Sequence, residues 1–246
     1  MSKFAVILPA AGRSTRFRDK HYKKPFAILA GRAVWLHSAE KFLNRSDVKQ
    51  VILVIAPDDR EDFMSKFGAN VAILGIEVVN GGKERFESIE NALAKVKTDI
   101  DFVAVHDAAR PCIANEWIDE VFAAAEKSGA AIPAIPVAGT LKRSADGKTI
   151  QETVDRTNLW EAQTPQVFRR TLLLEAYAKR GGKPATDDAQ LVERLGKPVS
   201  IVEGSPINMK ITTKDDLRLA EHALKALPKP KLFDAGNPFA DGDIWR

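Results

Sequence analysis

Short apolar runs alternate with amphipathic stretches through most of this chain, and that alternation limits the folds open to it. Residues 4–8 and 51–56 have the length and apolar content of buried strands, and residues 77–79, 102–105 and 131–135 are weaker members of the same set. Between them, residues 34–42, 59–67, 86–96 and 117–127 carry helical spacing. Strands separated by helices connect as right-handed βαβ units. The expected fold class is therefore α/β: a Rossmann-like, mainly parallel twisted sheet with helices on both faces. Residues 1–227 read as a single domain.

The pattern breaks after Pro136. Residues 140–144 and 150–154 read as two strands around an Asp146-Gly147 turn. Both are polar on either face, so they cannot belong to the core. An isolated hairpin is barely stable in water. This one, at about residues 137–156, reads as an arm laid against a second subunit, which implies a homodimer. Further on, residues 172–179 and 187–195 read as helices, 199–203 as a strand and 209–212 as a short extended piece. Residues 213–227 form a last amphipathic helix, with Thr213 and Asp216 in a capping pattern at its start. Residues 228–246, rich in Pro, Gly and Asp, read as an irregular tail.

Composition narrows the class. Of 246 residues, 45% are hydrophobic and 28% charged, ordinary for a soluble enzyme. One cysteine, Cys112, excludes an intrachain disulfide and suits a reducing compartment, so a cytoplasmic location is expected. No apolar run is long enough to span a membrane. The first strand starts too close to Met1 to leave room for a targeting segment. The net charge of +4 gathers in one loop, not in a stripe with interleaved aromatics, which favours a small anionic ligand over nucleic acid.

That loop runs from Pro9 to Phe26. It opens on Ala10, Ala11 and Gly12, then carries Arg13, Arg16, Arg18, Lys20, Lys23 and Lys24 against a single Asp19. Small residues after a buried strand let a ligand approach the backbone, and successive N–H groups in such a turn cradle anions. The loop sits at the carboxyl edge of the sheet, where open α/β sheets bind ligands. It reads as a triphosphate site, with Arg16 and Lys24 supplying charge. Two readings fit His106-Asp107-Ala108-Ala109-Arg110-Pro111. Asp107 holds a divalent cation such as Mg²⁺ on phosphate oxygens, or it caps the next turn and pairs with Arg110. His106 reads as a packed imidazole. Two readings also fit Gly81-Gly82 and Ser88: close approach to a planar base, or a plain strand-to-helix turn, which this stretch alone favours. Arg85 and Lys210, taken alone, read as solvated cations, and Arg156 as a rim salt bridge near an interface.

Taken in order, PAAG…R…KKPF, GG…ER…S, HDAARP, TVDR, TPQ, TDD and N-x-K-I-T resemble the 2-C-methyl-D-erythritol 4-phosphate cytidylyltransferase family over residues 3–227. The resemblance implies transfer of a cytidylyl group from CTP to a polyol phosphate with Mg²⁺, in a homodimer whose arms complete each other's sites. It implies that Arg16 and Lys24 stabilise the transition state and that Arg156 and Lys210 position the second substrate. It places Ala10, Ala11, Gly12, Gly82, Ser88, Asp107 and Ala108 on the nucleotide, Asp107 also on the metal. It places Arg110, Thr140, Thr164 and Thr186 on the polyol phosphate. Ser14, Lys83 and Ile207 depart from the family pattern, where a glycine and two aspartates are usual. A cytidylyltransferase for another polyol phosphate, such as ribitol 5-phosphate, is the near alternative. A nicotinamide dehydrogenase is disfavoured because G-x-G-x-x-G is absent. A non-catalytic binding module is disfavoured by the presence of both Arg16 and Lys24.

Overall fold

The computed structural model describes residues 1–12 and 26–228. The expectations for Arg16, Lys24 and the tail lie outside the described residues. In chain order the elements are β1 (Phe4–Pro9), β2 (Ile28–Leu29), β3 (Arg32–Ala33), α1 (Val34–Leu43), β4 (Val48–Ile55), α2 (Arg60–Leu74), β5 (Glu77–Asn80), α3 (Arg85–Leu93), β6 (Phe102–Val105) and α4 (Asn115–Ser128). They continue with β7 (Ala130–Pro136), β8 (Leu141–Arg143), β9 (Glu152–Val154), β10 (Trp160–Ala162), β11 (Gln166–Arg169), α5 (Arg170–Ala178), α6 (Ala189–Glu193), β12 (Ser200–Glu203) and α7 (Lys214–Lys225).

The main sheet runs β5-β4-β1-β6-β11-β7, with β12 on the outer edge of β7. β1 pairs in parallel with both β4 and β6, β4 with β5, and β7 with β12. β11 is antiparallel to both β6 and β7, and β10 is antiparallel to the far half of β7. At Ala131 and Ala134, β12 lies on one edge of β7 while β11 and β10 share the other. The sheet is thus mainly parallel, as the alternation predicts, with a reversed insert that the alternation does not reveal.

Period-two alternation along β1 explains why helices cover both faces. Phe4, Val6 and Leu8 point into a core shared with Trp35, Ala39 and Phe42 of α1, Phe63 of α2 and Val121 of α4. Ala5 and Ile7 point the other way, onto Ile89 and Ala92 of α3, Leu173 and Tyr177 of α5 and Leu191 of α6. A strand buried on both sides reads as a continuous apolar run, which is why residues 4–8 show no polar alternation. Each of the larger side chains among them, Val, Leu, Ile or Phe, contributes roughly 1.5–3 kcal/mol by leaving water.

α7 docks outside these layers. Its Ala220 packs with Ala27, Leu29, Val34, Cys112 and Ile211 in a smaller cluster. Its start is fixed by the expected reciprocal cap: Asp216 N–H donates to Thr213 Oγ1 at 3.1 Å and Thr213 N–H to Asp216 Oδ2 at 2.8 Å. The hairpin forms as expected, β8 pairing antiparallel with β9. Asp146 Oδ1 accepts from Lys148 N and Thr149 N at 2.8 Å, and Gly147 takes a φ of 67° that favours glycine. Residues 138–162 are exposed except for the half-buried Val154. No helix among the described residues is long and apolar enough to cross a membrane.

Candidate active site

Five chain segments meet at the carboxyl edge of the parallel strands. After β1, Ala10 is buried and its N–H is held by Val54 O at 2.8 Å, so the chain stays in register with β4 for one residue beyond the strand. Ala11 and Gly12 follow at the surface of the edge. The turn after β5 comes up against them. A side chain at Gly81 would stand 2.6 Å from Ala11 Cβ and 2.8 Å from Ser88 Oγ, and one at Gly82 would meet Glu87 Cβ at 2.3 Å. The paired glycines are therefore needed for the protein's own packing before any base is considered. Ser88 Oγ accepts from Gly82 N and donates to Glu84 O, both at 3.1 Å, closing the turn onto the first turn of α3. Lys83 N–H donates to Glu87 Oε2 at 2.7 Å, which closes the same turn.

The segment after β6 carries the charge. Asp107 is buried, and its Oδ2 lies 2.8 Å from Lys210 Nζ and 3.5 Å from Arg110 Nε. Burial alone would raise this carboxyl, but Lys210, Arg85 and Arg110 outweigh burial and hold it well below the usual carboxylate range. Of the two readings of Asp107, the pairing is observed. It pairs with Arg110 as the turn reading expects, and its Oδ1 accepts no hydrogen bond among the described residues.

His106, wholly buried, is fixed from both sides. Its Nε2 lies 3.0 Å from Arg110 O and its Nδ1 lies 3.1 Å from Thr164 Oγ1. A carbonyl only accepts, so Nε2 carries the proton and Nδ1 accepts from the Thr164 hydroxyl. Thr164 Oγ1 in turn accepts from Asp107 N–H at 3.1 Å. This chain sets the Asp107 backbone, and it leaves no free imidazole nitrogen for general base work. Burial lowers the His106 pKa from 6.5 to about 4. Below pH 6.5 the unfolded chain takes up a proton that native His106 refuses, so stability falls as pH drops toward 4 and is unaffected above 6.5. Urea unfolding of wild type should lose about 2 kcal/mol more than His106→Asn between pH 7 and pH 5. Equal losses would contradict the buried neutral ring.

Lys210 comes from the loop after β12, and its neighbours are pinned. Asn208 Nδ2 donates to Thr164 O at 2.9 Å, Asn208 O accepts from Arg110 Nη1 at 2.6 Å, and Ile211 N–H donates to Ala109 O at 2.9 Å. Gln163 Nε2 ties the same loop through Ser205 O at 2.9 Å. Ile207, one of the departures from the family pattern, packs against the smaller cluster under α7.

Asp107, Ala108, Arg110, Thr164 and Lys210 are thus brought together, with Ala10, Ala11, Gly12 and Gly82 on the adjoining loops and Ser88 on the first turn of α3. Thr186 lies before α6, with its N–H on Gln190 Oε1 at 3.1 Å. Thr140 and Arg156 flank the exposed β8–β9 hairpin, where the Arg156 guanidinium donates to the Ala138 carbonyl. Arg85 is corrected. It is not simply solvated: its Nη2 lies 2.6 Å from the wholly buried Asp188. Local spacing carries no sign of that pairing, because Arg85 and Asp188 lie on elements far apart in the chain. Gln163 and Asn208, which fasten the site, are visible in the sequence only as parts of motifs.

A mixed sheet covered on both faces, with phosphate-suited loops and a paired carboxylate at its carboxyl edge, is an α/β nucleotidyltransferase-like fold. The family model described as 2-C-methyl-D-erythritol 4-phosphate cytidylyltransferase matches residues 4–226. The enzyme of that name from Rhodopirellula baltica is 44% identical over 232 residues, covering 89% of this chain and 94% of that one. Its counterpart from Bacillus velezensis is 43% identical over 227 residues, covering 91% and 97%. The crystal structure of the Thermus thermophilus enzyme is similar with a TM-score of 0.74 at 33% identity, covering 92% of this chain and 100% of that one. The chain belongs to the 2-C-methyl-D-erythritol 4-phosphate cytidylyltransferase family.

Proposed function

We propose that this protein joins CTP and 2-C-methyl-D-erythritol 4-phosphate, giving 4-diphosphocytidyl-2-C-methyl-D-erythritol and pyrophosphate for isoprenoid precursor synthesis. Family membership carries the reading. The Asp107–Lys210–Arg110 group at the carboxyl edge of the sheet supports it chemically.

In this reaction an ionised oxygen of the polyol phosphate attacks the α-phosphorus of CTP. The bond to the bridging oxygen of the β-phosphate breaks, and pyrophosphate leaves with the electron pair. The nucleophile is already an anion, so no base is required, in keeping with the fully engaged His106. The protein's task is to bring two anions together in line. Lys210 presents its ammonium group at the mouth of the site while Asp107 fixes its direction. Arg16 and Lys24 offset the charge of the triphosphate, and Arg156 of the arm orients the polyol phosphate. Ala10, Ala11, Gly12, Gly82, Ser88 and Ala108 line the nucleotide, and Arg110, Thr140, Thr164 and Thr186 the second substrate.

The residues fit Mg²⁺. Asp107 is an ionised carboxylate whose Oδ1 accepts no hydrogen bond among the described residues, and Mg²⁺ commonly takes one or two carboxylates with phosphate oxygens and water. When bound, the ion would offset phosphate charge.

The reading includes a homodimer. Leu141, Ile150, Leu159 and Trp160 are between 36% and 62% exposed on or beside a hairpin with little core of its own, as expected of a surface completed by another chain. It also includes a cytoplasmic location, in keeping with the lone thiol of Cys112.

The test is CTP-dependent pyrophosphate release across a panel of polyol phosphates. Turnover with methylerythritol phosphate supports the reading; turnover with ribitol 5-phosphate alone overturns it. Arg156→Ala should raise the KM for the polyol phosphate about tenfold or more and leave that for CTP within a few-fold. If the arm crosses between subunits, inactive Lys24→Ala and Arg156→Ala chains should regain activity as verified heterodimers. Heterodimers that stay inactive would contradict a shared site.

A further inference from the structure

One buried carboxylate at the edge of the site has no part in the reaction as described. Asp188 is wholly buried, yet three groups meet it. Arg85 Nη2 lies 2.6 Å from its Oδ2, and the Tyr177 hydroxyl donates to its Oδ1 at 2.6 Å. Its backbone is held as well: Gln166 Oε1 accepts from both Asp188 N and Ala189 N at 3.1 Å. Gln166 opens β11 and stands opposite Val105, the last residue of β6 and two before Asp107. Asp188 is therefore fixed to the strand pair that carries the site.

The other end of this arrangement faces the site. Arg85 starts α3, directly after the Gly81-Gly82 turn that packs on Ala11. Its side chain is 30% exposed, with Nη2 on the wholly buried Asp188. Asp107 and Asp188 both act on it electrostatically, and both help keep it charged against the opposing effect of burial. Asp188 thus meets Arg85 at 2.6 Å, while Asp107, which Arg85 also influences, meets Lys210 at 2.8 Å and Arg110 at 3.5 Å. Without Asp188, Asp107 is the other carboxylate that acts on Arg85, and Lys210 already occupies it.

We propose that Asp188, with Tyr177 and Gln166, is a positioning residue that holds Arg85 as a fixed further cation of the site, beside Lys210 and Arg110, and keeps it from collapsing onto Asp107. This rests on the proposed cytidylyl transfer. The pair separates two functions that a buried ion pair alone would not: Asp188 satisfies Arg85, and Arg85 adds positive potential where two anionic substrates meet. Such a cation acts on the charge that builds up during transfer, so its loss falls on kcat more than on either KM.

The experiment compares wild type with Asp188→Asn, Arg85→Gln, the double variant and Tyr177→Phe. Each is measured for thermal midpoint, CTP-binding stoichiometry and steady-state kinetics. Wild-type turnover tests the proposed reaction, and ratios between variants test this inference. Asp188→Asn leaves Arg85 uncompensated and should lower both the midpoint and kcat. The double variant removes both charges together. It should recover most of the midpoint and full CTP stoichiometry, yet stay about 10- to 100-fold down in kcat, with both KM values within about threefold. A double variant with wild-type kcat would overturn the proposal and leave a purely structural pair. If that variant does not fold, Tyr177→Phe decides. A kcat lowered several-fold at unchanged midpoint and stoichiometry supports the proposal, and a wild-type kcat overturns it.

Discussion

Lys210→Ala is expected to lower kcat by at least about 100-fold, the usual scale for removing one donor that stabilises developing charge. The size follows from how the residue is held. Asn208 and Ile211 on either side are tied to Thr164, Arg110 and Ala109, so the Lys210 backbone cannot drift. Its ammonium sits 2.8 Å from Asp107 Oδ2, and its side chain is still 39% exposed. Removing it takes a cation from the meeting point of two anions and leaves Asp107 facing them. Arg85 and Arg110 still favour the ionised carboxylate, so Asp107 stays charged at neutral pH and repels the phosphates. The fold should survive, because those two cations continue to face Asp107. The check is pyrophosphate release together with a thermal melt; a folded variant with near-normal kcat would contradict the role of Lys210.

Lys24→Ala should be at least as damaging. The polyol phosphate carries a charge of about −1.5 to −2 and approaches a triphosphate that is also strongly negative. Two unit charges at ~4 Å repel by roughly 4 kcal/mol at an effective dielectric near 20, which is close to a thousandfold in rate. Partial screening by solvent and by the remaining cations brings the expected loss to about 100-fold or more. Lys24→Arg should retain more activity than Lys24→Ala, since charge is the property at issue. Equal activity of wild type and Lys24→Ala in single-turnover assays would remove Lys24 from the mechanism.

The strands that build the floor of the site are legible in the sequence because burial on both faces leaves an unbroken apolar run, as in β1, β4 and β6. The cap at Thr213 is legible because its chemistry is local. The Asp146-Gly147 turn is legible for the same reason. α2 runs on to Leu74, well past residue 67, because Gly68 sits within the helix instead of ending it. β11 escapes a sequence reading: it has four residues, and what buries it is pairing on both edges with β6 and β7, which no local pattern announces. β10 escapes it because Trp160, Glu161 and Ala162 are all exposed, so they show no buried side. The same division holds at the site. Asp107 and Lys210 can be nominated from their segments, but the pairing between them joins segments far apart in the chain. Ser88 falls on the first turn of α3 as its position predicts, yet its hydroxyl closes the glycine turn, a use visible only in three dimensions. Arg85 passes for a solvated cation because its partner, Asp188, stands at the start of a different helix.

The most direct test of the account is a crystal structure of the protein with CTP bound. It should show the triphosphate at the carboxyl edge of the sheet, within hydrogen-bonding reach of Lys210 and the loop that begins at Ala10, with the base beside the Gly81-Gly82 turn. CTP seated elsewhere, with Lys210 still on Asp107 and both facing only solvent, would contradict it.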